Sequence, residues 1–210
     1  MRNTPFLNYV GGELVPGAEL KNVENPATEE TCGQYTAYTP EILDRALREA
    51  EAAFRVWSTT PLLERVAWMK KLAAALEARR EEIVDLLVAE TGKPQDNAEY
   101  DYGMLVECLQ FFSEEVQRLR DELIPDRNGQ YVHQLVRHPV GVVVGFLAWN
   151  FPLLNVGYKL GPALASGCTC ILKPSRTTPL ATALVGEVMQ SIGFPKGVVN
   201  IVLGEDRQVA

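Results

Sequence analysis

The chain has 210 residues, 47% hydrophobic and 22% charged, which suits a globular fold with enough apolar side chain for a sizeable core. Acidic residues outnumber basic ones by 27 to 20, and a net charge of −7 without any basic run excludes a general nucleic-acid binder. No secretory leader or membrane-length apolar segment follows Met1-Arg2-Asn3-Thr4-Pro5, so the expected setting is soluble and cytoplasmic, with no membrane partner.

In chain order, Phe6 to Val10 predicts a short strand, closed by a turn at Gly11-Gly12, and Asn25-Pro26-Ala27-Thr28 predicts another turn. Thr39-Pro40-Glu41 combines a capping hydroxyl, a proline suited to the first helical position and an acid in the first turn. The helix it starts is expected to reach about Trp57, with Leu43, Ala46, Leu47, Ala50, Ala53 and Phe54 on one face. A helical stretch from near Pro61 carries Val66, Met69, Leu72, Ala73 and Leu76, continued past Arg79-Arg80-Glu81-Glu82 by Ile83, Leu86 and Leu87. Thr91-Gly92-Lys93-Pro94 ends it with glycine and then proline, the order that closes helices. A third helix is expected from Gln95 to about Leu119, its Met104, Leu105, Cys108, Leu109, Phe111, Phe112 and Val116 being core at helical spacing. Beyond a turn at Asp126-Arg127-Asn128-Gly129, the segment Tyr131 to Arg137 alternates like a half-exposed strand.

From Gly141 the pattern changes. An apolar strand over 141–147, a helix over 152–165, a strand from Cys168 to Lys173, a helix from Pro179 to Ile192 and a strand from Gly197 to Leu203 form a βαβαβ series with short connections. The predicted class is therefore α/β: N-terminal helices plus half of a doubly wound, Rossmann-like parallel sheet. The expected divisions are 1–120 for the N-terminal strands and helices, 121–139 for a strand segment, and 140–210 for the parallel unit. Its last strand is expected to leave an open edge, a liability for an isolated monomer.

Chemistry concentrates at the strand ends, where ligands bind in such sheets. Ala148-Trp149-Asn150-Phe151-Pro152 places a carboxamide after the first strand, either as a donor aimed at a ligand or as a cap of the following helix. Lys173-Pro174-Ser175-Arg176 follows the second strand, offering an ammonium and a hydroxyl to a ribose or phosphate, or forming a solvated basic turn. The glycine-rich dinucleotide fingerprint is absent, since Gly157, Gly161 and Gly167 are too widely spaced. Cys32, Cys108, Cys168 and Cys170 show no metal or disulfide spacing and read as buried small hydrophobes; with His133 and His138 also outside any ligand pattern, no metal is expected.

Taken together, these motifs resemble the aldehyde dehydrogenase superfamily. The resemblance rests on Gly141 to Pro152, then Lys159-Leu160-x-Pro162-Ala163-Leu164-Ala165-x-Gly167-x-Thr169, then Leu172-Lys173-Pro174-Ser175. Asn25 to Thr28, Thr91 to Pro94 and Pro195-x-Gly197-Val198-Val199-Asn200 are similar to that family as well, in order and spacing across the chain. The resemblance implies that Asn150 is the oxyanion-hole asparagine. It implies a cofactor surface made by Phe146, Leu147, Ala148 and Trp149, with Lys173, Pro174, Ser175 and Arg176 at the adenosine ribose. It also implies NAD or NADP as cofactor, an aldehyde as substrate, and an oligomerisation hairpin around Tyr131 to Arg137 that would make the intact enzyme a homodimer or tetramer.

Ala148 stands where the family commonly has proline, and Cys168 where it commonly has asparagine. Arg176 stands where many NAD-using members have a glutamate that accepts from the ribose hydroxyls; a guanidinium there can pair with a 2′-phosphate, which suggests NADP acceptance. Family members are more than twice as long, and by this resemblance their nucleophilic cysteine and general-base glutamate lie beyond residue 210. The chain is thus expected to be an N-terminal portion, inactive alone, the alternative being a non-catalytic module of that fold that binds nucleotide or a partner chain.

Overall fold

The computed structural model describes residues 4–205; Met1 to Asn3, named above, and the stretch 206–210, which falls in the expected 140–210 unit, lie outside the described residues. The chain opens with β1 (Asn8–Val10) and β2 (Glu13–Val15), a hairpin turned by Gly11 and Gly12 at φ of +62° and +84°. A second hairpin pairs β3 (Glu19–Glu24) with β4 (Thr31–Ala37). Then come α1 (Pro40–Trp57), α2 (Leu62–Glu77), α3 (Arg80–Thr91) and α4 (Gln95–Glu115), a short hairpin of β5 (Glu122–Pro125) and β6 (Val132–Leu135), and the predicted alternation. That alternation is β7 (Val142–Phe146), α5 (Pro152–Ser166), β8 (Thr169–Lys173), α6 (Leu180–Ser191) and β9 (Val199–Ile201).

The α/β class is as expected, with three refinements in the helices. Thr39 caps α1, its hydroxyl accepting from the Ile42 amide at 3.4 Å. The buried face of α1 is Ala46, Ala50 and Trp57, while Leu47 is exposed, because the helix lies on the sheet through its alanines and Leu47 is turned about 100° away. The stretch read as one helix from Pro61 is two, broken at Ala78 and Arg79, which lets Ile83, Val84 and Leu87 of α3 reach the core. Gly92 closes α3 in the left-handed region at φ +68°, as its place before Lys93-Pro94 implies. The third predicted helix, α4, stops at Glu115 and leaves Phe111 exposed.

One sheet organises the molecule, in the order β2-β1-β9-β8-β7. β7, β8 and β9 are parallel, and β1 joins β9 antiparallel at Tyr9↔Ile201. The expected open edge on the last strand is therefore covered: β1 occupies it, and the edge strands are β2 and β7. Asn8, fully buried, makes the junction by accepting from the Leu203 amide at 2.7 Å and donating to the Thr36 carbonyl at 3.1 Å. Asn200 adds a bond from the other side, its Oδ1 accepting from the Gly11 amide at 2.9 Å.

β5 and β6 stand apart from this. All eight of their residues are exposed, so the segment read as half-exposed has no core face here. By contrast α4 and α5 are pressed together at two glycines. A Cβ on Gly157 would lie 3.0 Å from Cys108 Cβ and 3.1 Å from Leu105 Cα, and one on Gly161 would lie 2.7 Å from Phe112 Cδ2. That close approach brings the first turns of α4 beside the start of α5. Among the described residues no helix is long and apolar enough to cross a membrane.

Candidate active site

Parallel pairing sets the two strand ends side by side. Phe146 is in register with Lys173, and the Leu147 amide donates to the Lys173 carbonyl at 3.0 Å. The ladder thus extends one residue past β7 before the chain turns out. Phe146, Ala148, Trp149 and Asn150 are exposed around this turn, and Leu147 is buried. Among the described residues the Asn150 carboxamide takes no hydrogen-bond partner; its backbone carbonyl accepts from Lys93 Nζ at 3.0 Å. Asn150 is not the cap of the following helix, because Phe151 occupies the cap position and makes no side-chain cap bond.

At the end of β8 the Lys173 side chain is folded inside, 1% exposed, with Nζ donating to the Pro174 carbonyl at 2.6 Å. It is not a solvated basic turn residue. Pro174 is buried as well, and Ser175 is half-buried with its hydroxyl 2.9 Å from that of Thr177. Arg176 is exposed and lies 3.4 Å from the Glu205 carboxylate. An exposed pair of that kind contributes about 0–1 kcal/mol, so the guanidinium can readily change partner. A cavity of about 690 Å³ opens between these residues and the β3–β4 hairpin, lined by Trp149, Arg176, Thr177, Glu205 and Glu90.

Glu90 and Asp101, which the sequence analysis did not single out, and Lys93, read there only as part of a helix stop, hold these junctions together. Neither α5 nor α6 has a side-chain cap at its own N-terminus. For α5 the free amide of Leu154 donates to Asp101 Oδ1 at 2.8 Å, across from α4. For α6 the amides of Leu180 and Ala181 donate to Glu90 Oε2 and Oε1 at 2.6 and 3.0 Å, across from α3. Unpaired first-turn amides need acceptors, and a carboxylate there also meets the positive end of the helix dipole. Asp101 is fully buried and Glu90 only 2% exposed. Lys93, largely buried, donates to Asp101 Oδ2 at 2.7 Å and lies 4.4 Å from the centre of the Phe151 ring.

Burial pushes the Glu90 carboxyl up to about 8, against the pull of its two amide donors. The sequence signal for Glu90 and Asp101 was present: each acid sits on a buried helical stripe, after Ile83 and Leu87 in one case and between Ala98 and Leu105 in the other. An acid on an apolar stripe requires partners from elsewhere in the fold. Asp101 and Glu90 thus take up one first-turn amide of α5 and two of α6.

All four cysteines are free and buried. Burial raises the Cys32 thiol to about 11 and the Cys170 thiol to about 12, and raises Cys108 as well. Groups of this kind are inert as nucleophiles near neutral pH. On α4, Tyr102 is buried with its hydroxyl donating to Glu77 Oε2 at 2.9 Å, and Phe112 is half-buried against the core.

Residues 15–210 match the family model described as "Aldehyde dehydrogenase family". Among curated relatives, lactaldehyde dehydrogenase of Escherichia coli K12 is 34% identical over 204 residues, covering 96% of this chain and 42% of the relative. The D-glyceraldehyde dehydrogenase (NADP(+)) of Thermoplasma acidophilum is 30% identical over 203 residues, covering 96% and 41%. Among solved structures, a betaine aldehyde dehydrogenase point mutant from Staphylococcus aureus, in complex with NAD+, superposes with a TM-score of 0.88 at 32% identity over 96% of this chain and 41% of its own. The chain therefore spans about two fifths of the length of the proteins it matches.

Proposed function

The chain belongs to the aldehyde dehydrogenase family, and we propose that it is the N-terminal portion of an NAD(P)-dependent enzyme that oxidises an aldehyde to a carboxylic acid. The observation that carries this reading is the Asn150 carboxamide, exposed and without a hydrogen-bond partner among the described residues, at the carboxyl edge of the parallel sheet. In the complete enzyme a cysteine thiolate, expected beyond residue 210, attacks the aldehyde carbon. The carbonyl oxygen gains the electron pair and receives the Asn150 N–H. Loss of hydride from the resulting thiohemiacetal gives a thioester, and water activated by a general base releases the acid and the thiol. The cofactor, when bound, accepts that hydride.

The residues at the strand ends fit a nucleoside. Phe146 and Trp149 are exposed large apolar groups beside one strand end, and Ser175 and Arg176 bring a hydroxyl and a guanidinium from the other. Leu147, Lys173 and Pro174 are buried beside them and Ala148 is exposed, and all four are read as part of the same cofactor surface. Lys173 would have to leave the Pro174 carbonyl before its ammonium could meet a ribose. On this reading the chain's share of the cofactor site is the adenosine side.

Arg176 supports acceptance of NADP, since its charged partner among the described residues is an exposed glutamate. The exposed β5–β6 hairpin supports a homodimer or tetramer, in a soluble cytoplasmic enzyme. Intact-mass measurement of the protein, with assays on a panel of aldehydes using NAD and NADP, tests the reading. Oxidation of no aldehyde by the complete protein rejects the activity. Tight NAD binding with negligible NADP binding rejects the cofactor assignment, and Arg176→Glu is expected to shift preference towards NAD.

A further inference from the structure

The turn that carries Asn150 has little packing to hold it. Ala148, Trp149 and Asn150 are all exposed, with Leu147 on one side and Pro152 and Leu153 on the other as the buried anchors. Its polar attachment comes from another part of the chain. Lys93, just after α3, reaches the Asn150 carbonyl at 3.0 Å while its same nitrogen is held by Asp101 at 2.7 Å and stands 4.4 Å from the Phe151 ring. The other oxygen of Asp101 holds the Leu154 amide at 2.8 Å. One fully buried carboxylate thus grips the first turn of α5 directly and, through the lysine, the peptide four residues earlier.

We propose that Lys93 and Asp101 are positioning residues that fix the direction of the Asn150 carboxamide, a role that rests on Asn150 being the oxyanion donor. The physical reason is the shared peptide unit. Asn150 Cα and its carbonyl belong to the same plane as the following amide. With the carbonyl tied to Lys93 and the chain pinned again at Leu154, rotation about the Asn150 backbone is restricted, and so is the path of its side chain. An ammonium suits this task because its three donors can serve two oxygens in different directions. The planar fork of arginine cannot reproduce that arrangement in full.

The test uses the complete enzyme containing this chain for kinetics and the chain itself for amide exchange. Lys93→Met is expected to lower kcat by roughly ten- to a hundredfold, the cost of a small misplacement of a reacting group. The aldehyde KM should change by less than about twofold, and Lys93→Arg should recover part of the loss. In an Asn150→Ala background, Lys93→Met should cause almost no further loss, because a residue acting through Asn150 has nothing left to position. Amides from Asn150 to Leu154 should exchange faster in Lys93→Met than in the parent while core amides keep their protection.

A kcat within twofold of the parent for Lys93→Met overturns the proposal, as do losses that multiply in the double variant. Unchanged exchange over Asn150 to Leu154 overturns it as well. If Lys93→Met does not fold, Lys93→Arg carries the same kinetic and exchange comparisons. Failure of the underlying reading looks different: Asn150→Ala alone would then leave kcat intact, whatever Lys93→Met does to exchange.

Discussion

At the end of β7, the helix that follows is capped by Asp101, which has Lys93 at 2.7 Å; at the end of β8, the helix that follows is capped by Glu90, which has two amides and no ion pair among the described residues. Both carboxylates are buried and both reach across from the helices that precede the parallel unit. The first junction balances its charge and uses the balancing group to hold the Asn150 turn. In the second the carboxyl meets two amides, and burial raises it to about 8, so that it keeps its proton near neutral pH. The same structural need, acceptors for first-turn amides, is met in one place by a network that extends to the surface and in the other by a buried carboxyl bonded to two amides.

Asp101→Ala should break the first junction and give the largest effect. Removing one partner of a buried pair leaves Lys93 uncompensated, at a cost of about 3–5 kcal/mol, read from urea unfolding of the chain. A loss below about 1 kcal/mol would show that water replaces the carboxylate freely. Asn150→Ala should leave stability nearly unchanged yet lower kcat of the complete enzyme by roughly 10²–10³; steady-state kinetics decide it.

Gly157→Ala probes what brings α4 to the first junction. Its new methyl group meets Leu105 and Cys108, and overpacking of this kind costs about 1–3 kcal/mol. Thermal unfolding measures the loss, and faster exchange of the Leu154 amide should accompany it.

Glu90→Gln sharpens the second junction through pH. Between the ordinary 4.5 and about 8 the folded chain keeps a proton on Glu90 that the unfolded chain has released. Its contribution to stability therefore falls as pH rises through that window and is level above it. The glutamine variant should lose this component of the pH profile, at the cost of a weakened cap worth about 1 kcal/mol. A parallel pH dependence in the two proteins would refute the assignment. Val132→Thr, on the exposed β5–β6 hairpin, serves as the small-effect control: urea midpoints of the isolated chain should move by no more than about 0.5 kcal/mol.

Much of this was readable along the chain. Periodicity located the helices, the Thr39 cap and the Gly92 stop, and the run of short apolar strands from Val142 to Ile201 announced a parallel sheet. These features depend on neighbours within a turn or two, where sequence and conformation are directly coupled. The exposed face of Leu47, the break at Ala78 and Arg79, and the bare β5–β6 hairpin were not readable, because each depends on what happens to lie alongside. Lys93 was visible as part of a helix stop and Asp101 only as a polar interruption of a stripe; their partnership with Asn150 spans 57 residues in one bond and eight in the other.

By itself the sequence determined the order of the βαβαβ unit, the α/β class and the candidate groups at the two strand ends, since local hydrophobic pattern and capping chemistry suffice for those. Only the tertiary structure decided that β1 seals the edge of β9, that Lys173 turns inward, and that Asn150 is held from Lys93 and Asp101. Those outcomes turn on which distant segments share the interior, where an unpaired edge, amide or charge is costly enough to select its partner from anywhere in the chain.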